Sequence, residues 1–176
     1  YALPVVTINT AGAIKGAVEV SATLNIEALG EGSVISYISI DGKGQLFHNG
    51  LTTTIKKHIT GDPVPQNGYV GGWYTISSPV GTVDHDDVVG LLNGTHDLYY
   101  YNEVEMMWEN VKDTEDNTYT ELKNGQGYLY ANTLDTDLLF KGPLNTAPVT
   151  YSISYTEGNS LAGFNLIGNP FTYNIT

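Results

Sequence analysis

The chain contains no cysteine and no arginine among its 176 residues. The lack of cysteine excludes a disulfide framework and thiol chemistry, but it leaves the compartment open because many exported bacterial proteins also lack disulfides. Seven lysines stand against 19 acidic residues, which gives a net charge of −12 and a pI of about 4.4. Without a basic cluster, neither nucleic acid nor an anionic membrane surface is a suitable partner.

Long apolar runs are also missing from the sequence. No stretch approaches the roughly 20 apolar residues that span a bilayer, so we predict no membrane insertion. The first ten residues lack the charged start and apolar core of a signal peptide, and we expect a mature or trimmed product. Hydrophobic residues still make up 41% of the chain, which is enough for the core of one domain or two small ones.

Helix-forming stretches are scarce, whereas strand-forming residues are abundant. Thirteen tyrosines and many threonines, valines and isoleucines favour strands, while 20 glycines and 7 prolines interrupt any helix. Alternating patterns and turn residues predict strands over residues 18–26, 33–40, 52–59, 73–77, 97–101, 106–109, 127–131, 138–140, 149–155 and 164–167.

A linker rich in proline and glycine divides the chain in this interpretation. Residues 61–72 hold two prolines and four glycines, and we place a boundary there, between residues 1–67 and 68–176. The predicted fold class is all-β. An antiparallel β-sandwich or barrel-like domain follows a smaller β-rich segment, which is either part of a sandwich or a set of solenoid-like strands.

One nine-residue pattern occurs twice. GWYTISSPV at residues 72–80 and GFNLIGNPF at residues 163–171 share a glycine, an aromatic residue, an isoleucine and a proline. The matched residues are Gly72, Trp73, Ile76 and Pro79 in the first copy, and Gly163, Phe164, Ile167 and Pro170 in the second. A structural role explains the pattern, because glycine permits a sharp entry and proline ends a strand. We therefore expect both aromatic rings to face the core of one β domain.

An ordered set of blocks around these motifs resembles a module of secreted and cell-surface proteins of the Bacteroidota. The blocks are residues 44–50, 52–61, 71–81, 96–103, 107–110, 124–132, 138–145 and 161–171. Several proteins of that kind are exported by the type IX system and are adhesin-like. The resemblance implies an extracellular or outer-surface location and a non-catalytic role in adhesion or architecture, with neighbouring domains or subunits as partners.

An acidic segment is the candidate metal site. Asp84, Asp86 and Asp87 surround His85, and His96 or Asp97 could join them. Oxygen ligands of this kind suit calcium better than zinc, although the segment lacks the spacing of an EF-hand. The alternative is a solvated acidic loop with no cofactor, because charge runs usually face solvent. The same alternatives apply to the loop at residues 113–117.

Aromatic residues form the candidate ligand-binding set, with polysaccharide as the ligand. The candidates are Tyr99, Tyr101, Trp108, Tyr128 and Tyr130, because flat rings stack on sugar faces. The alternative is core packing: in residues 97–101, alternate tyrosines point to opposite faces of a strand, so part of the set is core.

No catalytic signature occurs in the sequence. Glu103 and Glu105 are the nearest approach to a carboxylate pair, but they are two residues apart on one strand, and the nucleophile, metalloprotease and nucleotide-binding motifs are absent. We predict that the chain is not an enzyme. Two hypotheses remain, a structural and adhesive surface module and a carbohydrate-binding module.

Overall fold

A computed structural model describes residues 5–9, 12–62, 72–113, 119–158 and 160–175. This part of the chain is all-β, as predicted, with one short 3-10 helix at His85–Asp87 and no α-helix. The strands are β1 Val5–Asn9, β2 Lys15–Val20, β3 Thr23–Ala28, β4 Val34–Ile40, β5 Gln45–His48, β6 Thr52–Ile59, β7 Tyr74–Ile76, β8 Val83–Asp84, β9 His96–Asn102, β10 Met107–Asn110, β11 Glu121–Leu122, β12 Tyr128–Asn132 and β13 Thr136–Pro143.

The first six strands alternate between two sheets. β1, β3 and β5 form one parallel sheet, and β2, β4 and β6 lie side by side in a second. The chain thus winds as a stack of coils, and each coil adds one strand to each sheet. This is the solenoid-like alternative for the N-terminal segment, in which each coil contacts its neighbours in the stack.

Apolar residues in register fill the inside of the coils. In the first sheet Val6, Leu24 and Leu46 are successive partners, and in the second sheet Val18, Ile38 and Ile55 are successive partners. A column of matched apolar side chains lets each coil bury its inner face against the next coil. Leu24, Leu46, Ile38 and Ile55 are all buried.

One predicted strand is two strands. Residues 18–26 alternate without a break, but the chain bends at residues 21 and 22, so that β2 ends at Val20 and β3 begins at Thr23. Val20 and Leu24 are both buried, each in a different sheet. The alternation predicted the inward residues correctly but missed the corner between the two strands. The corner keeps every second residue pointing inward, so the apolar periodicity is the same as in one continuous strand.

The second part is built on an antiparallel sheet with the order β10, β9, β12, β7, beside a two-stranded sheet of β8 and β11. One face of the larger sheet buries Ile76, Leu98, Tyr128 and Tyr130. The Tyr119 hydroxyl donates to the carbonyl oxygen of Leu98 at 2.8 Å from a loop that covers this face. None of the described sheets closes on itself, so the barrel-like alternative does not apply.

β13 links the two parts of the chain. It pairs with β6 along its whole length, from Thr136 opposite Ile59 to Pro143 opposite Thr52. Leu138 and Phe140 of β13 belong to the same cluster of buried residues as Ile38 and Tyr128. The sheet that contains β6 and β13 therefore has strands from both sides of the predicted division at residues 67 and 68, and the division itself stays a prediction. Most of the predicted linker, residues 63–71, lies outside the described residues.

Two predicted strands near the C-terminal end are irregular. Residues 149–155 form no strand, and residues 164–167 contain only an isolated bridge between Ile167 and Gln126. Side chains satisfy part of the backbone there, since Asn165 accepts from the Ser154 N–H and donates to the Ser154 carbonyl oxygen. A strand-like composition does not make a strand where side chains replace the ladder partners.

Candidate functional site

The two copies of the repeated motif lie together at their proline ends. The Asn145 side-chain amide donates to the carbonyl oxygens of Pro170 at 2.8 Å and Pro79 at 3.4 Å. The Ser77 hydroxyl of the first copy donates to the carbonyl oxygen of Asn169 in the second. Gly168 lies so close to this contact that an added Cβ would be 2.3 Å from the Ser77 Cβ, so only glycine fits there.

The prediction that both motif rings face the core is wrong. Trp73 is 46% exposed and Phe164 is 41% exposed, and neither belongs to the buried cluster. The isoleucines also differ, because Ile76 is buried in β7 while Ile167 is exposed. The two copies therefore share a sequence pattern without sharing an environment. Pro79 and Pro170 are the matched pair that is buried in both.

Five aromatic rings collect on the outer side of the antiparallel sheet, four with exposed surface and one, Tyr101, buried among them. We call Trp73, Tyr99, Tyr101, Trp108 and Phe164 the aromatic face. Tyr99 and Tyr101 alternate with core residues of β9, and Trp108 is the direct partner of Tyr101 in β10. Ring centroids are 5.7 Å apart for Trp73 and Tyr99, 5.3 Å for Tyr101 and Trp108, and 4.8 Å for Tyr101 and Phe164.

The rings of the aromatic face are tilted and do not form one plane. Interplanar angles are 59° for Trp73 with Tyr99, 67° for Trp108 with Tyr101 and 88° for Phe164 with Tyr101. Edge-to-face packing of this kind is favourable between the rings themselves. Asp97 lies two residues before Tyr99 on β9, and its carboxylate contacts Lys112 at 3.1 Å.

Three of the five predicted sugar-binding residues are buried. Tyr128 and Tyr130 point into the core because they alternate with Leu129 along β12. The Tyr130 hydroxyl donates to the carbonyl oxygen of Leu91 at 2.9 Å, and burial raises the pKa of both phenols. Tyr101 is covered by Trp108 and Phe164. The rings with exposed surface are therefore Trp73, Tyr99, Trp108 and Phe164, of which Tyr99 and Trp108 belong to the predicted set of five.

Glu103 anchors the segment that carries Phe164. Its buried carboxylate accepts hydrogen bonds from the N–H groups of Thr156 at 2.7 Å and Gly163 at 2.8 Å, and from the Thr156 hydroxyl at 3.0 Å. The N–H of Gly163, followed by the Thr156 groups, lowers the pKa of this carboxyl group. Glu105 is exposed. Glu103 is thus a structural anchor, and it would not have been recognised from its spacing to Glu105.

The acidic segment folds around the 3-10 helix. Asp84 ends β8, and its Oδ1 atom accepts from the backbone N–H of Asp86 at 3.0 Å. His85 is buried, and its Nε2 atom lies 3.3 Å from the carbonyl oxygen of Tyr119. Ligand atoms of Asp84, His85 and Asp86 all lie within 4.8 Å of one another. Among the described residues, neither Asp87 nor His96 or Asp97 belongs to this group.

The acidic residues elsewhere have separate structural contacts. Asp135 accepts from the backbone N–H of Gly61 at 2.8 Å. Asp137 lies 2.8 Å from His58 Nδ1 on the partner strand β6. Of the predicted loop at residues 113–117, residues 114–117 lie outside the described part of the chain, so its metal-binding alternative stays a prediction.

In the part of the chain that the structure describes, the coil stack is closed at one end and open at the other. At the β5 end, Thr172 donates from its hydroxyl to the Leu46 carbonyl oxygen at 2.7 Å and accepts the Leu46 N–H through its own carbonyl at 2.8 Å. At the other end, β1 and β2 each have a described partner strand on one side only. Along the column Val6, Leu24 and Leu46, exposure falls from 55% to 8% and then to 0%.

Comparison with known proteins gives no relative. No family model, curated protein or solved structure matches the chain. The resemblance to the Bacteroidota surface module thus stays an expectation from the sequence. In the described residues, no helix is long and apolar enough to cross a membrane.

Proposed function

We propose that this chain is a non-catalytic structural module of a secreted or cell-surface bacterial protein, and that it mediates assembly through the open end of its coil stack. The observation that carries the proposal is the exposure of Val6. This residue lies in register with the buried Leu24 and Leu46, yet more than half of its surface is uncovered. The composition and the resemblance support the surface location.

The partner that fits the open end is another coil of the same kind. Within the described residues, β1 and β2 each have one unpaired edge, and unpaired edges add further strands through main-chain hydrogen bonds. β1 has the sequence VVTIN, without charge or proline, the residues that commonly protect an edge. An inward apolar residue on the added strand would cover Val6, as Val6 partly covers Leu24.

The closed end supports the same function. Solenoid proteins need terminal units that end the stack and protect its last coil from further pairing. Here the Thr172 carbonyl oxygen accepts a hydrogen bond from the Leu46 N–H, and the Thr172 hydroxyl donates one to the Leu46 carbonyl oxygen. Tyr173 stacks on Phe47 at 4.8 Å, and β13 pairs with β6 in the antiparallel sense. Among the described residues, the stack thus has a capped end at β5 and an uncovered end at β1 and β2.

The test is to add one coil next to β1 within the same chain. The added coil is a second copy of residues 23–44, placed directly before Val5. The first residue of the copy then precedes Val5 by the same number of positions that separates Thr23 from its strand partner Gln45. We expect slower amide hydrogen exchange throughout β1 and a higher urea midpoint than in the parent chain. The reason is that both edges gain partners and Val6 becomes buried.

A matched control separates coil addition from a longer chain. In the control, the added copy carries asparagine at the three positions that correspond to Leu24, Ile26 and Ile38, which point inward in the original coil. This control should leave the exchange of β1 close to that of the parent. Equal exchange in the extended protein and its control would refute assembly through this end.

The second candidate function is carbohydrate binding by the aromatic face. Trp73, Tyr99 and Trp108 lie on one side of the sheet with accessible surface, and the polar side chains of Asp97 and Lys112 are near. The tilted rings suit a sugar chain less well than coplanar rings. A glycan array decides between the functions: binding that is lost in Trp73→Ala and Trp108→Ala but kept in Phe47→Ala, an exposed ring of the coil stack, would establish this alternative.

A further inference from the structure

One ring nitrogen of the buried His85 has a defined role. Its Nε2 atom lies 3.3 Å from the backbone carbonyl oxygen of Tyr119. A carbonyl oxygen only accepts, so Nε2 carries a hydrogen and donates it. In the neutral imidazole the other nitrogen, Nδ1, then holds a free electron pair. The backbone contact with Tyr119 thereby orients the ring.

The Nδ1 atom is buried and has no hydrogen-bond partner among the described residues. The His85 side chain is nine-tenths buried, and its Nδ1 atom lies 3.5 Å from the Oδ1 atom of Asp86. A carboxylate is also an acceptor, so with a neutral ring two electron-pair donors lie side by side without a hydrogen between them. Buried polar atoms normally have a partner, and an exception requires an explanation.

The surroundings of this pair are negative. A carboxylate oxygen of Asp84 lies within 4.8 Å of the ligand atoms of His85 and Asp86. Glu121 is the direct partner of Asp84 across the β8–β11 ladder. In the described part of the chain, no lysine forms an ion pair with Asp84, Asp86 or Glu121. A bound cation would compensate this negative charge and accept the free electron pair of Nδ1.

We propose that Asp84, His85 and Asp86 bind a first-row divalent cation, with Zn²⁺ as the best fit, through His85 Nδ1 and the two carboxylates. Imidazole with carboxylates is a zinc-type ligand set, whereas calcium takes oxygen ligands. A histidine that binds zinc through one nitrogen commonly donates its other N–H to a backbone carbonyl, which is the arrangement of His85 and Tyr119. Asp84 and Asp86 are exposed, so the cation can enter from solvent.

This proposal changes both the ligand set and the metal expected from the sequence. His85 replaces Asp87, which lies outside the group of three, and zinc replaces calcium. It is independent of the assembly function, because the site is formed by β8, the 3-10 helix and the loop at Tyr119 rather than by the coil stack.

The test is titration of the full chain with Zn²⁺ alone, followed by calorimetry and by nitrogen-detected NMR of the histidine rings. We expect one saturable site per chain, a change of the His85 Nδ1 signal on binding, and no comparable change at His48, His58 or His96. Calcium at the same concentration should not displace the bound Zn²⁺.

Two substitutions of the same type provide the comparison. Asp86→Asn removes a ligand at an exposed position and should weaken Zn²⁺ binding by at least about 10-fold, while Asp87→Asn should change it by less than about twofold. Equal weakening in both variants would show diffuse attraction to an acidic loop and overturn the proposal. Absence of saturable binding, a signal change at His58 instead of His85, or an imidazolium at His85 that Zn²⁺ does not alter would each overturn it as well.

Discussion

Two buried tyrosine hydroxyl groups differ in their hydrogen bonds. The Tyr130 hydroxyl donates to the Leu91 carbonyl oxygen at 2.9 Å and accepts from the Asn132 amide at 3.0 Å. The Tyr101 hydroxyl is buried without a hydrogen-bond partner among the described residues. A buried polar group with partners stabilises the fold, whereas one without partners costs its desolvation free energy. The same chemical change should therefore have opposite consequences at the two positions.

We predict that Tyr130→Phe lowers the free energy of unfolding by about 1–3 kcal/mol, because the partner groups on Leu91 and Asn132 lose a buried hydrogen bond. Tyr101→Phe is the matched control, and it should leave stability unchanged or raise it. Urea unfolding followed by tryptophan fluorescence measures both. A loss of stability in Tyr101→Phe as large as that in Tyr130→Phe would contradict the assigned hydrogen bonding.

Glu103 makes the docking of the C-terminal segment depend on pH. Its folded-state pKa lies below the ordinary value of 4.5, because Gly163 and Thr156 donate to the carboxylate. The contribution to stability is therefore fully present above about pH 4.5 and is lost as the pH falls through the lower folded-state pKa. Protonation of the carboxylate weakens it as an acceptor for three donors, the N–H and hydroxyl of Thr156 and the N–H of Gly163. These donors have no other acceptor in the described contacts.

We predict that Glu103→Gln exposes Phe164 and Trp108 more at neutral pH, since an amide cannot accept all three hydrogen bonds. The readout is quenching of tryptophan fluorescence between pH 3 and pH 7. In the parent chain we expect quenching to change at and below about pH 4.5, where Glu103 becomes protonated. In Glu103→Gln this pH-dependent change should be smaller. Glu105→Gln, at an exposed position of the same turn, should behave like the parent. Parent-like quenching in Glu103→Gln would remove Glu103 as the anchor.

At the scale of the element, the exposure of Val6, Leu24 and Leu46 shows how far each coil is covered by its neighbours in the stack. The three residues occupy equivalent positions on β1, β3 and β5, and their exposure differs only because the first coil has no described neighbour on its outer side. Burial, and not residue type, therefore sets what each of them contributes to stability.

We predict that Leu46→Ala costs about 2–5 kcal/mol, because it leaves a cavity in the closed end of the stack. Val6→Ala should change stability by less than about 0.5 kcal/mol in the chain as it stands. In the version extended by one coil, Val6→Ala should become clearly destabilising. Differential scanning calorimetry of the four proteins checks this, and equal effects of Val6→Ala with and without the added coil would contradict the proposed stacking.

Some elements were predictable from local composition. Residues 52–59 were predicted as a strand and form β6, because the segment is rich in threonine and turn residues stand on both sides. Residues 149–155 have a similar composition but form no strand, since their neighbours in space offer side chains such as Asn165 rather than an open ladder. Composition predicts the tendency to extend, whereas pairing depends on what lies alongside.

At the scale of the whole molecule, β13 determines whether the two parts unfold together. Its pairing with β6 joins the coil stack to the segment that follows the antiparallel sheet, and Phe140 is buried in the shared cluster. Domains with one continuous core unfold in a single cooperative transition.

We predict that Phe140→Ala lowers the free energy of unfolding by about 3–5 kcal/mol and speeds amide exchange in β4 and in β12 to a similar degree. Lys141→Ala, the exposed neighbour on the same strand, should affect neither. Hydrogen exchange resolved by mass spectrometry distinguishes the outcomes. Faster exchange confined to one of the two strands would show that the predicted boundary near residue 67 separates independent units after all.

The amino-acid sequence by itself determined that the protein is all-β, that it is strongly acidic, and which residues point inward along β2 and β3. These properties follow from composition and from a period of two, both of which are local. The column Val6, Leu24 and Leu46 is an example: its apolar residues were visible, but not that they stack in register.

Only the tertiary structure decided which strands pair, which rings stay at the surface and which histidine nitrogen is free. Trp73 and Ile76 belong to one motif, yet one is exposed and the other buried. His85 became the central candidate ligand because Tyr119, distant in the chain, takes one of its nitrogens. The physical reason is that pairing, burial and hydrogen bonding depend on residues brought together from far apart in the chain, and a local pattern carries no information about them.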